Sequence, residues 1–302
     1  MRIGTAYSQQ LAIEGITERQ SRLVSTQAQI ATGRRVVAPS DDPVAAAEAE
    51  RLRSSEARIE SEKRTAGVAR QMLSSADNAL GDANDVLQSA REALLAAGTA
   101  TSGSSDRARY AEALKQARDQ LLSIANRSNG AGGYVFGGQG TQVAPISSSG
   151  TTYSPASGTI TVGLDQTQPI SLDGQENFTA IRTATGTESI FSRLDSVIAV
   201  LTDPASTAAQ AQTAASGTVD AVDRAMDRLS STRTMVGERL KAIDAHEQAL
   251  ETGSIENQSR LSELVDVDFA KAISDLSQHQ TAFDAALKSY SQIARLSLFA
   301  YV

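Results

Sequence analysis

Apolar residues recur every seven residues at both ends of this 302-residue chain. Seven residues make almost two helical turns, so each repeat forms a stripe along one face of a helix. Neither helix buries its stripe alone, and the pattern predicts that both ends pack against another helix, either each other or a second molecule. We call these residues the terminal stripe; its apolar members are Ile13, Ile16, Leu23, Ile30, Phe269, Ile273, Leu276, Phe283, Leu287 and Tyr290.

Polar residues interrupt the terminal stripe at Gln20, Gln27 and Gln280. A polar residue on a helical seam specifies pairing at some cost in stability, so the glutamines are candidate register devices. They are equally compatible with seam positions beside water. The pattern leaves both interpretations open.

Long helices are predicted between the two ends. From Pro43 the pattern predicts a long helix, and part of it alternates large and small residues at heptad spacing, which lets a partner helix approach closely. These residues are Leu73, Ala76, Leu80, Ala83, Leu87, Ala90, Leu94 and Ala97. A further helix follows with Leu114, Ala117, Leu121 and Ile124 inward, and helical periodicity returns from Glu188 to Thr202 and again up to Leu250.

Local residue chemistry predicts where these helices begin and end. Gly33 is expected to terminate the first helix. Asp42-Pro43 and Asp203-Pro204 each read as an N-cap followed by proline in the first turn. The run 252–254, Thr-Gly-Ser, is expected to interrupt the last long helix before a separate carboxy-terminal one.

A segment with a different composition separates the helices. Residues 134–186 are rich in Gly, Ser, Thr and Gln, and they show little helical periodicity. Alternation over 160–164 predicts a strand, and 170–172 predicts a second strand that ends in a turn at Asp173-Gly174. The segment is therefore predicted to be a small β-rich insert.

The predicted fold class is mainly α: an elongated antiparallel helical bundle with heptad terminal helices and a small β-rich insert. The order of elements is symmetric about the insert. Five segments follow from the pattern. They are 1–42 (amino-terminal part of the terminal coiled coil, with a linker), 43–133 (first half of the bundle), 134–186 (insert), 187–253 (second half) and 254–302 (carboxy-terminal part of the coiled coil).

Composition narrows the function. Aromatic residues make up only 4% of the chain, so Ala and Leu carry the burial, as in slender bundles. A net charge of −7 argues against nucleic-acid binding. No run is long and apolar enough for a membrane span, and residues 1–35 lack the apolar core of a secretory signal. We therefore expect a cytosolic chain, or one that is exported without a cleaved leader.

Candidate catalytic chemistry is sparse. His246-Glu247 could begin a His-Glu-x-x-His zinc helix, but the second histidine position is Leu250. Asp41-Asp42 is better explained by helix capping than by cation binding. The glycine-rich stretch over 130–140 enters a strand, whereas phosphate loops run from strand to helix. The sequence therefore predicts no catalytic, cofactor or metal site.

Residues 30–43, IATGRRVVAPSDDP, resemble the amino-terminal signature of the flagellin superfamily. The opening Met-Arg-Ile, the stretch YVFGG at 134–138 and the ending LSLFAYV at 296–302 narrow the resemblance to its hook-associated branch. The resemblance covers both ends and the bundle, and least of all the insert.

This resemblance implies a structural subunit of the bacterial flagellum and not an enzyme. Members of the hook-associated branch that it resembles form a homo-oligomeric junction ring between the hook-associated protein 1 zone and the flagellin filament. It further implies export through the flagellar type III apparatus to an extracellular position, and a cytosolic export chaperone. Leu296, Leu298 and Phe299 join the terminal stripe as implied assembly residues. Alternatives are a short or minor filament flagellin, or a secreted helical adhesin or effector.

Overall fold

The fold is mainly α, as predicted. A computed structural model describes residues 2–99, 103–130, 132–139, 143–154, 161–163, 167–183 and 186–299. The helices are α1 (Arg2–Thr32), α2 (Pro43–Ala97), α3 (Ser104–Ala125), α4 (Ile190–Thr202), α5 (Ala208–Val265) and α6 (Phe269–Phe299). The strands are β1 (Thr161–Gly163), β2 (Thr167–Pro169), β3 (Ile181–Thr183) and β4 (Gly186–Glu188). A π-helical turn spans Gln175–Thr179.

The chain divides into two compact units. One contains Met1–Glu60 and Glu251–Val302, and we call it the terminal unit. The other, the central unit, contains Ser61–Leu250. The division falls inside α2 and α5, so each unit holds part of both long helices.

The alternating Leu and Ala stripe of α2 forms the core of the central unit, which confirms that prediction. All eight residues from Leu73 to Ala97 are at most 2% exposed. From α5, Val222, Leu229, Val236 and Ile243 are buried at seven-residue intervals. Alanine at every second position of the stripe leaves room for the neighbouring helix, so this part of the core consists of Leu, Ala, Val and Ile side chains.

Ion pairs fix the antiparallel register of α2 and α5 in the central unit. The Arg70 guanidinium lies 2.7 Å from the Asp244 carboxylate, and Arg91 lies 2.7 Å from Asp223. Exposed pairs of this kind contribute only about 0–1 kcal/mol each. They therefore select one alignment of the helices, while the apolar core supplies most of the stability.

The predicted start of α5 at Asp203-Pro204 is wrong. Asp203 follows the last turn of α4, and its carboxylate accepts hydrogen bonds from Ala205 N and Ser206 Oγ. The cap is Thr207, whose Oγ accepts from Gln210 N while the Gln210 side chain accepts from Thr207 N. This reciprocal pair is a capping box, and it satisfies two backbone donors where the aspartate would satisfy one.

The predicted break at 252–254 is also wrong, because α5 continues to Val265. One glycine in a helix costs about 1 kcal/mol relative to alanine, which tertiary contacts can offset. Here Ser254 donates to the Glu56 carboxylate at 2.5 Å, and Asn257 donates to Ser55 Oγ at 3.2 Å. These contacts hold α5 against α2 in the terminal unit, in the turn that follows Gly253.

The insert contains two short antiparallel pairs, β1 with β2 and β3 with β4. The predicted strand over 160–164 corresponds to β1, although 160 and 164 lie outside the described residues. The predicted strand over 170–172 is wrong: β2 ends at Pro169, and Ile170 and Leu172 are buried in irregular structure. Their alternation reflects burial in the hydrophobic core, so it did not distinguish a strand from a buried loop.

Three phenylalanines anchor the insert. Phe136 and Phe178 meet edge to face with centroids 5.0 Å apart, and Phe178 lies 6.2 Å from Phe191 of α4. Gly150 (φ +71°) passes so close to α4 that an added Cβ would lie 2.2 Å from the Phe191 Cβ. Ser189 caps α4 and donates to the Gly150 carbonyl at 2.6 Å. The insert is thus fastened to the start of α4.

Candidate functional site

The terminal helices α1 and α6 pack against each other in the terminal unit. A Cβ added to Gly33 at the end of α1 would lie 3.8 Å from the Phe269 ring at the start of α6. Farther along, Gly15 and Ile16 share a groove of about 370 Å³ with Ala286 and Tyr290. The two helices therefore run antiparallel.

Much of the terminal stripe is exposed although the helices are paired. The exposed fraction is 50% for Ile13, 52% for Phe269, 58% for Ile273 and 42% for Leu287. The other members within the described side chains are half-buried: Ile16, Leu23, Ile30, Leu276, Phe283 and Tyr290. One helix partner therefore covers only part of the stripe, and the rest faces outward along two helices.

Leu296, Leu298 and Phe299 belong to α6, but their side chains lie outside the described residues. Gln20, Gln27 and Gln280 are exposed. In the isolated chain, none of these three glutamines is enclosed in a seam. Whether these glutamines set the register or lie beside water therefore depends on what covers them after assembly.

A short backbone ladder closes one end of the helix pair. Val267 N donates to the Gly33 carbonyl at 3.0 Å, and Arg35 N donates to the Val265 carbonyl at 2.6 Å. The Arg35 guanidinium also donates to the Leu264 carbonyl at 2.6 Å. Gly33 ends α1 at φ +70°, a conformation that glycine adopts readily. The ladder joins the link after α1 to the link before α6.

Sequence reasoning missed this ladder. The paired segments are about 230 residues apart in the chain, and each is too short to show a strand pattern. The nearest signal was Asp268, which caps α6 by accepting hydrogen bonds from Ala270 N and Lys271 N. That capping residue marks the start of α6 and hence a link before it.

Of the two adjacent aspartates, Asp42 caps α2 as predicted, whereas Asp41 closes the turn before it. Asp41 Oδ2 accepts from Val37 N and Ala38 N, and Asp42 Oδ1 accepts from Ala45 N. The hydrogen bond from Ala45 N and the Arg35 guanidinium lower the pKa of Asp42 below its ordinary value. Both carboxylates are thus committed to the turn that leads into α2.

The other candidate residues show no catalytic arrangement. His246 Nε2 lies 3.8 Å from the Glu62 carboxylate on neighbouring helices. Across the described ranges, no three His, Asp or Glu side chains come together as metal ligands. At the start of the glycine-rich stretch, Asn129 N donates to the Gly133 carbonyl at 2.9 Å, and Ser128 pairs with Tyr134. Among the described helices, none is long and apolar enough to cross a bilayer.

Comparison with protein families identifies both helical regions. Residues 3–141 match the bacterial flagellin N-terminal helical region. Residues 219–302 match the bacterial flagellin C-terminal helical region. The two matches include α1, α6 and the ladder that joins them.

Individual relatives extend this likeness over the full length. Flagellar hook-associated protein 3 of Escherichia coli strain K12 is 29% identical over 313 residues, which cover 99% of both chains. The FlgL structure of Xanthomonas campestris superposes with a TM-score of 0.63 at 19% identity, over 70% of this chain and 99% of that one. The structure of the flagellar junction protein FlgL from Legionella pneumophila superposes with a TM-score of 0.61 at 17% identity, over 72% of this chain and 100% of that one. The structures show a shared fold.

Proposed function

Since this chain belongs to the bacterial flagellin superfamily and is a structural protein of the flagellum, we propose that it forms the ring that connects the hook-associated protein 1 zone to the flagellin filament. The exposed part of the terminal stripe is the observation that carries this proposal. Apolar faces that stay half-exposed on an otherwise polar chain mark contact surfaces. Neighbouring copies of the same helix pair supply the matching apolar face.

The proposed mechanism couples ordering of the ends to assembly. Ordering the backbone of a helix costs about 1–2 kcal/mol of entropy per residue, and the contacts of a single pair of helices in water scarcely offset this cost. The α1–α6 pair is therefore weak alone and becomes stable when neighbours cover Ile13, Phe269, Ile273 and Leu287. The backbone ladder keeps both helices beside each other while this happens.

Further partners follow from the proposed position. One face of the ring contacts hook-associated protein 1, and the other contacts flagellin. Before assembly, an export chaperone covers the apolar carboxy-terminal helix, and export to the extracellular flagellum proceeds without a cleaved signal. Because the proposed activity is assembly, the protein is not an enzyme and uses no cofactor.

Rescue of a deletion strain tests this function. The full chain is expected to restore filaments on hooks, scored by electron microscopy. Removal of Leu287 to Val302 should leave the central unit folded, as judged by circular dichroism, yet yield hooks without filaments and flagellin lost to the medium. Filaments on hooks that carry the truncated chain would contradict the mechanism. Elongation of the purified full chain into long filaments would indicate a filament flagellin instead.

A further inference from the structure

Arginine side chains surround a cavity in the central unit. The cavity, of about 610 Å³, is lined by the π-helical turn, the β3–β4 hairpin and one face of α5. Arg224, Asp227 and Arg228 come from α5 at spacings that place them on the same side of the helix. Glu176 comes from the turn and Arg182 from β3. We call this site the arginine cavity.

The walls of the arginine cavity are held by buried contacts. Asn177, next to Glu176, accepts a hydrogen bond from Thr232 Oγ at 2.7 Å, which ties the turn to α5. The following residue, Phe178, is fully buried against Phe136. The turn therefore cannot move away from α5 without breaking the aromatic cluster, and the cavity exists before any ligand binds.

The charges of the arginine cavity are only partly balanced. The Arg228 guanidinium forms an ion pair with Glu176. The side chains of Arg182 and Arg224 form no ion pair or hydrogen bond with any residue that the structure describes. The Nε atoms of Arg224 and Arg228 are buried and have no partner among those residues. Buried polar donors are normally satisfied, so this arrangement lacks an acceptor.

We propose that the arginine cavity binds an oxyanion, a phosphate or carboxylate group held between Arg182 and Arg224. Guanidinium groups bind such anions through paired hydrogen bonds, which are stronger than neutral ones. Asp227 at the rim disfavours a second anion and limits the cavity to one group. The oxyanion is either a free ion or a carboxylate side chain of a second copy, since the chain carries 35 acidic residues.

The free-ion source is tested with inorganic phosphate and with acetate, each added to the full chain at constant ionic strength set by sodium chloride. Binding is followed by titration calorimetry and by the urea unfolding midpoint. Arg224→Gln should lower the affinity about tenfold or more, because it removes a charged donor. Arg109→Gln, which removes an exposed charge from α3, should leave the affinity unchanged within about twofold.

The second-copy source is tested by sedimentation velocity of the same proteins without added phosphate. Arg224→Gln should then weaken self-association while Arg109→Gln does not. Arg182→Gln, at an exposed position of β3, repeats both measurements if Arg224→Gln unfolds the chain. Dependence on the cavity arginines in either arm supports the proposal and identifies the source. If neither Arg224→Gln nor Arg182→Gln changes the affinity for the anions or the strength of self-association, the proposal is overturned.

Discussion

The substitution Leu287→Ala tests whether the terminal stripe acts in assembly and not in folding of the free chain. Leu287 belongs to the terminal stripe on α6 and is 42% exposed. Leu95, on α2 in the central unit, is 50% exposed and lies outside the stripe. The same substitution at both positions removes the same atoms from similarly exposed sites, so Leu95→Ala is a matched control.

The expected effect follows from the exposed fraction. Full burial of a leucine side chain contributes about 1.5–3 kcal/mol. With 42% of Leu287 still exposed, about 0.6–1.3 kcal/mol per subunit is gained when a neighbour covers it. Self-association of the Leu287→Ala chain should therefore be about three- to ninefold weaker. Leu95→Ala removes partly buried atoms from the central unit and should lower its free energy of unfolding modestly, whereas Leu287→Ala should change the free energy of unfolding of the free chain little, because α6 is weakly held before assembly.

The assay has two readouts. Sedimentation velocity measures self-association of the purified chains, and electron microscopy counts filament-bearing hooks in a deletion strain that expresses each variant. Leu287→Ala should reduce both, and Leu95→Ala should change neither by more than about twofold. Equal losses from the two substitutions would refute the assignment of the terminal stripe to assembly, because they would reflect general destabilisation.

Three further predictions concern the stability of the free chain. Gly150→Ala should destabilise it by about 2–5 kcal/mol in urea unfolding, from left-handed strain plus overlap with Phe191. Gly130→Ala, with similar φ and no atoms nearby, should cost only about 1–2 kcal/mol; equal costs would contradict the close contact. Burial, reinforced by the charge of Asp173, raises the pKa of Tyr153. The contribution of the Tyr153 hydroxyl to stability is therefore full below about pH 10 and declines as the pH rises further. The Tyr153→Phe variant should show a weaker decline. The lowered pKa of Asp42 means that its contribution is present above about pH 4 and is lost as the pH falls through the folded-state pKa. Asp42→Asn keeps the cap and should weaken that acid dependence, measured by thermal unfolding from pH 2 to 6.

Regular periodicity allowed much of the fold to be predicted. The Leu–Ala alternation from Leu73 to Ala97 identified residues that proved to be buried, because heptad spacing places them all on one helix face. The predicted helix boundaries were correct where a single residue determines the helix end, as Gly33 does for α1 and Asp42 for α2. They failed at Asp203, where Thr207 and Gln210 together satisfy more of the helix end.

Contacts between distant segments were beyond the sequence pattern. The ladder of Gly33 and Arg35 with Val265 and Val267 involves too few residues to show a period. The arginine cavity depends on a π-helical turn and a hairpin of three-residue strands, which have no recognisable periodicity. The terminal stripe itself was visible in the sequence. How much of it remains exposed could be known only after α1 and α6 were seen together.

Hydrogen exchange of the free and the assembled chain tests the coupling of terminal order to assembly most directly. In the free chain, the amides of α1 and α6 should exchange rapidly, while those of α2 from Leu73 to Leu94 are protected. After incorporation at the hook–filament junction, α1 and α6 should become protected with little change in α2. If the amides of α1 and α6 in the free monomer were protected as strongly as those of α2, the result would contradict the account.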